Sequence, residues 1–142
     1  MNCSLTLGHW HEMQADAQAV RFDVFVTEQG VAPALEIDEM DPVCLHVLAR
    51  NETGLPVGTA RLLPDGHIGR MAVRKMARGS GIGGRMLEAL MHAAQERGDQ
   101  VVMLNAQVQA ERFYMRFGFV REGGQFDDAG IPHVHMTRRV PM

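Results

Sequence analysis

The run Arg78-Gly79-Ser80-Gly81-Ile82-Gly83-Gly84 places four glycines between a strand-like segment and a helix-like one. At such a junction, free backbone N–H groups and the positive end of a helix dipole converge, which makes a site for an anion. Glycine permits the positive φ angles of the turn and lets a pyrophosphate approach the backbone closely. A helix entry that holds no ligand is the plain alternative, although each glycine in a first turn then costs about 0.5–1 kcal/mol without compensation. Gly79, Gly81 and Gly84 also spell a dinucleotide-binding pattern, but the acid that pattern needs about 20 residues later is here Asn105. Arg85-Met86 stands where a nucleotide-binding P-loop carries Lys and then Ser or Thr.

Other residues offer proton chemistry. Tyr114 is the single tyrosine and can serve as a proton donor; it and Phe113 also suit the apolar side of a short helix, where a buried hydroxyl still needs a partner. Candidate bases are Glu28, His67, His133 and His135, directly or through water, since imidazoles titrate near neutral pH. Structural roles for these histidines compete with each assignment. His133 and His135 alternate onto one strand face without a third ligand, so no metal site is expected. Glu36, Asp38 and Asp41 lack the spacing and glycine of a calcium loop.

The net charge of −3 conceals an uneven distribution. Residues 12–41 hold eight acids against Arg21 alone, whereas residues 70–85 hold five bases and no acid. A basic segment suits an anionic ligand and a separate acidic one suits a cationic partner; solvated faces would give the same counts. Phe25, Glu28, Asp38 and His133 are accordingly candidates for the acceptor side, with Asp38 and Asp41 alternatively capping turns.

Positioning these residues requires a small mixed fold. A length of 142 residues with 46% apolar and 22% charged residues fits one globular domain over 1–142. No basic leader or long apolar stretch opens the chain, so a cytoplasmic location with no membrane and no nucleic-acid partner is expected. Cys3 and Cys44 follow no metal or redox spacing and read as buried thiols. Residues 3–7 alternate as a strand, and residues 12–27 carry Ala17, Val20, Val24 and Phe25 at helical spacing. Residues 43–49, 57–63 and 67–73 read as an antiparallel meander broken by Asn51-Glu52-Thr53-Gly54 and Pro64-Asp65-Gly66. Residues 81–97 bear an apolar helical stripe, 101–104 a strand, 110–118 a short helix with a glycine stop, and 133–140 a closing strand. The order is β-α-β-β-β-α-β-α-β, an α/β (α+β) pattern in which strand 101–104 returns parallel to strand 67–73.

The glycine loop resembles the acetyl-CoA loop of the GNAT superfamily, Arg/Gln-x-x-Gly-x-Gly/Ala before a helix, with Arg78, Gly81 and Gly83 in the matching places. The segment Ala110-Glu111-Arg112-Phe113-Tyr114-Met115-Arg116-Phe117-Gly118-Phe119 is similar to that family's helix and turn after strand five. Residues 21–29 with Glu36, Asp38 and Asp41, and Gly130-Ile131-Pro132-His133-Val134-His135-Met136, resemble its ElaA/YjcF-like branch. The resemblance implies a mostly antiparallel sheet with flanking helices and two splayed central parallel strands. It implies acetyl-CoA, or coenzyme A, as cosubstrate, held by Met71, Ala72, Val73, Arg78, Gly79, Ser80, Gly81, Ile82, Gly83, Gly84, Asn105, Gln107, Phe113 and Tyr114. Gln107 replaces an Asn common among relatives. Tyr114 would be the general acid beside the sulfur, a backbone N–H near Val73 would polarise the carbonyl, and Glu28 is one candidate base. The expected reaction is transfer of acetyl to a primary amine of a small molecule or peptide by a monomer or homodimer. The alternative is a non-catalytic acyl-CoA binding or sensor module, which would retain the glycine loop and dispense with Tyr114.

Overall fold

In the computed structural model, which describes residues 2–36 and 38–140, the N-terminal alternation becomes β1 (Ser4–Gly8). Helix α1 (Trp10–Arg21) begins ahead of the apolar period because Glu12 Oε1 accepts the His9 N–H at 3.2 Å and closes its first turn. The chain then widens into a π turn over Phe22–Glu28, so the helix expected at 12–27 is two kinds of helix in series. A short α2 (Pro33–Glu36) follows.

The meander forms as expected, with β2 (Leu45–Arg50), β3 (Pro56–Leu62) and β4 (Ile68–Val73) beside β1 in the order β1-β2-β3-β4. Helix α3 (Ile82–Glu96), β5 (Val101–Gln107) and α4 (Glu111–Met115) complete the crossover. The second sheet contains one strand more than expected: β6 (Val120–Asp128) pairs with β7 (Ile131–Arg139), giving the order β5-β7-β6. Every residue of β6 is exposed, so neither face buries an apolar side and no alternation marks it in the sequence.

Strands β2 and β3 are buried on both faces, as strands covered by helices on either side must be. Gly58 of β3 faces Met86 and Ile82 of α3. The next residue, Thr59, points the other way, as does its cross-strand partner Ala72, which packs against Val20 and Val24. One apolar cluster runs from Val47 and Leu62 through Leu87 and Leu90 of α3 to Leu104, Val134 and Met136 of the second sheet.

Between the sheets, β4 and β5 meet in parallel at a single bridge, His67 with Met103, where the Met103 N–H donates to the Gly66 carbonyl at 3.1 Å. Beyond it they diverge. A β-bulge sets Arg70 and Met71 opposite Ala60 alone, and Arg70 takes a positive φ of 49°.

Candidate active site

The divergence of β4 from β5 opens a cleft of about 570 Å³. Phe25, Asp38, Met71, Asn105, Gln107, Tyr114 and His133 all line it, brought together by long-range pairing, whereas Glu28, Ala72, Val73, Phe113 and the 78–84 loop are not among its lining residues. Asn105 and Gln107 share one face of β5, with His135 and His133 as their partners on β7.

The outer edge of β4 supplies backbone donors. The Arg74 N–H donates to the Val57 carbonyl at 2.8 Å, so by strand alternation the Val73 N–H and carbonyl point away from β3. Arg78 Nε donates to that Val73 carbonyl at 2.9 Å and ties the glycine loop to the strand. Ala72, by the same alternation, turns its side chain away from the cleft and pairs with Thr59; it can contribute only as a spacer.

In the loop, Gly79 and Gly81 have φ of +80° and +83° and face open space, where a side chain would stand in the approach. The first backbone bond into α3 is the Arg85 N–H to the Gly81 carbonyl, which leaves the N–H groups of Ile82, Gly83 and Gly84 at the positive end of the helix dipole. Only the backbone of Ile82 is available, because its side chain is in the core. A Cβ on Gly83 would lie 3.4 Å from Phe113 Cζ, and one on Gly84 would lie 2.5 Å from Phe117 Cζ. These two glycines therefore let the Phe113 and Phe117 rings close on the helix, and Phe113 supports the loop from behind. Ser80 Oγ is turned back onto the Ala77 carbonyl. The open glycines, free N–H groups and nearby Lys75 fit a pyrophosphate.

Tyr114 stands across the gap from Met71, and its hydroxyl donates a long, weak bond to Met71 Sδ at 3.7 Å. Phe113 and Phe119 pack edge-on against its ring at 5.1 and 6.0 Å. Burial pushes its hydroxyl up to about 12, so it holds its proton throughout the neutral range. The aromatic-core and proton-donor readings are thus compatible: the ring is packed while the hydroxyl reaches the gap.

Glu28 is placed differently from expectation. It lies outside the residues lining the cleft and binds Arg78 with both oxygens, at 2.5 and 2.7 Å. That hydrogen-bonded guanidinium lowers its carboxyl below the ordinary range, the reverse of the burial-raised value a base would need.

The acidic segment is also neutralised. Arg21, 1% exposed at the end of α1, binds Glu36 and grips both oxygens of Asp41 at 2.9 and 3.0 Å. Arg61 binds Asp41 and Asp38 at 2.8 and 2.7 Å, and Arg70 reaches Asp38 at 3.2 Å. Burial alone would raise the Asp38 carboxyl, but the Met40 N–H and these two guanidinium groups outweigh it and lower it to about 2. Three carboxylates thus meet three arginines, so Glu36, Asp38 and Asp41 do not present a free acidic patch to a cation.

Among the histidines, His67 Nδ1 lies 2.9 Å from Asp65, and His135 Nδ1 lies 2.8 Å from Asn105 Oδ1. His133 Nδ1 lies 2.7 Å from the Ile131 carbonyl. Among the described residues no group of three His, Cys, Asp or Glu could hold a metal ion. Gln29 lies in the 21–29 segment but is not a sequence-predicted site residue, yet its amide oxygen accepts from Gln107 Nε2 at 3.0 Å and bridges the end of the π turn to β5, and both residues line the cleft. Only tertiary pairing could reveal that contact, since 78 residues separate the two.

Two sheets splayed beside a glycine-rich anion loop, with a tyrosine facing the gap, define an acyltransferase architecture. The family model for the acetyltransferase (GNAT) domain matches residues 13–140, and the chain belongs to that family. It is 40% identical over 131 residues to the uncharacterized N-acetyltransferase YjcF of Bacillus subtilis, covering 89% of this chain and 93% of YjcF. An acyl-CoA N-acyltransferase structure from Pseudomonas aeruginosa superposes with a TM-score of 0.85 at 31% identity, over 96% of this chain and 99% of that one. Escherichia coli ElaA gives a TM-score of 0.86 at 26% identity, over 97% and 100% of the two chains. Family and neighbours support acyltransferase chemistry on a CoA-based cosubstrate. No helix among the described residues is long and apolar enough to cross a membrane.

Proposed function

We propose that the chain acts as one acetyl-CoA dependent N-acetyltransferase domain, passing acetyl to a primary amine of a small molecule or peptide by direct attack. The observation that carries this reading is the gap itself: the Tyr114 hydroxyl reaches across it to Met71 on β4, the Val73 N–H further along that strand is turned away from β3, and Arg78 ties the 78–84 loop to the same strand. When bound, acetyl-CoA supplies an activated thioester. The N–H groups of Ile82, Gly83 and Gly84 would hold its pyrophosphate, aided by the glycines and the flanking bases. The Val73 N–H is suited to polarise the thioester carbonyl, and the protonated Tyr114 to donate to the departing sulfur.

Binding and turnover test this separately. Acetyl-CoA at about a hundredfold excess over its Kd should add about 2.7 kcal/mol of stability, read as a thermal shift. Thiol release is then followed with a panel of polyamines, aminoglycosides, amino acids and peptides. No shift would remove the cosubstrate assignment; a shift without turnover of any amine would leave an acyl-CoA binding module.

A further inference from the structure

We propose that His133 is the general base that takes the acceptor's proton, through Nε2; the inference rests on the transferase reading above. The ring is 9% exposed and lines the cleft, with Phe126 stacked on it at 6.0 Å and 28°. The Ile131 carbonyl 2.7 Å from Nδ1 can only accept, so Nδ1 carries the proton and the neutral ring keeps its lone pair on Nε2. Nε2 has no protein partner among the described residues, and it is not sealed within the core.

Strand register sets the height of each histidine in the cleft. From the His67–Met103 bridge, Gln107 lies four residues further along β5, whereas the bulge at Arg70 and Met71 leaves Met71 about three strand positions up β4, between Asn105 and Gln107 in height. Gln107 pairs with His133 on β7. His133 therefore stands within about one strand position of Met71, the residue that meets the Tyr114 hydroxyl, and its ring lines the cleft. His135 pairs with Asn105, is bonded to its Oδ1 and is not among the residues lining the cleft, and His67 sits at the closed base of the cleft, about 10 Å down the strand from Met71 at roughly 3.3 Å per residue. The carboxylates of the acidic segment are occupied, Glu28 by Arg78, and Glu36, Asp38 and Asp41 by Arg21, Arg61 and Arg70; Asp128, at the end of β6, also lines the cleft and has no ion pair among the described residues.

In the transfer, Nε2 takes one proton from the acceptor's ammonium, and the freed nitrogen pair forms the C–N bond to the acetyl carbon. The C–S bond breaks with its electron pair on sulfur, which takes the Tyr114 proton. The second nitrogen proton returns to the Tyr114 oxygen through solvent, and His133 releases its own, so the products are amide, thiol and one proton.

H133N tests this, because the Asn amide keeps a donor where Nδ1 bonds Ile131 and removes the basic nitrogen. A primary alkylamine turned over by the wild type is compared with an isosteric hydrazine already unprotonated at the assay pH, as benzylamine is with phenylhydrazine. The expected result is an unchanged acetyl-CoA thermal shift, a loss of about 10²-fold or more in kcat/KM with the alkylamine, and a loss at least about tenfold smaller with the hydrazine. H133Q, which also lacks a base, is expected to show the same selectivity and serves if H133N loses its melting transition. No loss, or an equal loss with both acceptors, overturns the assignment while leaving the transferase standing. A wild type that turns over no amine overturns both.

Discussion

At Tyr114 a single hydroxyl separates function from packing. Y114F keeps the ring among Phe113 and Phe119 and removes only the group that meets Met71 Sδ. It should lower kcat by about 10²-fold while the Kd for acetyl-CoA, measured by titration calorimetry, stays within about twofold. An unchanged kcat, with chemistry shown to limit turnover, would return Tyr114 to the core. Glu28 makes the opposite case. Because it is spent on Arg78, E28Q should leave the acceptor's KM alone and, by unpairing a cation beside the anion loop, tighten acetyl-CoA by a few-fold at low salt. A raised acceptor KM with unchanged acetyl-CoA affinity would restore Glu28 to the acceptor side.

Among the elements, the junction of the glycine loop with α3 carries the most. Gly81 has a positive φ that Asn and Asp both tolerate, and its side-chain position faces open space. G81N and G81D thus match in shape and backbone strain and differ in charge. G81D should bind acetyl-CoA about tenfold more weakly than G81N, in line with up to ~2 kcal/mol for a charge at a helix terminus, and the difference should shrink in high salt. Equal affinities would mean that no anion sits there. Gly84 belongs to the same turn but serves packing, since G84A would push a methyl into Phe117. That substitution should lower stability by about 1–3 kcal/mol in chemical denaturation even though alanine favours a helix.

At the scale of the molecule, Arg21, Arg61 and Arg70 lock the loop that carries Glu36, Asp38 and Asp41 onto α1, β3 and β4. Such a network strongly opposes loss of one partner. The Asp38 carboxyl falls from its ordinary 3.8 to about 2. A carboxyl lowered in the folded state contributes stability that is full above the unfolded value and lost as pH falls through the folded one. That contribution is on the order of 2 kcal/mol at neutral pH and should fade between about pH 4 and 2. D38N should be less stable than wild type at pH 7 and show a shallower acid dependence across that window, followed by urea unfolding. Identical acid profiles would mean the network is not formed in solution.

The amino-acid sequence alone determined the meander, the amphipathic α3 and the glycine loop, because these rest on local periodicity and on backbone freedom at fixed positions. It did not carry β6, whose nine exposed residues exist as a strand only through β7 and whose Gly123-Gly124 falls at the bulge. Nor did it carry charge balance: Arg21 stood alone among eight acids along the chain, whereas folding brought it Arg61 and Arg70 from strands far along the chain. The cleft itself was decided by tertiary structure, since its walls are two strands that meet at one bridge and separate above it. That His133 lines the cleft and His135 does not follows from the pairing and packing around β5 and β7, a property that no single strand contains.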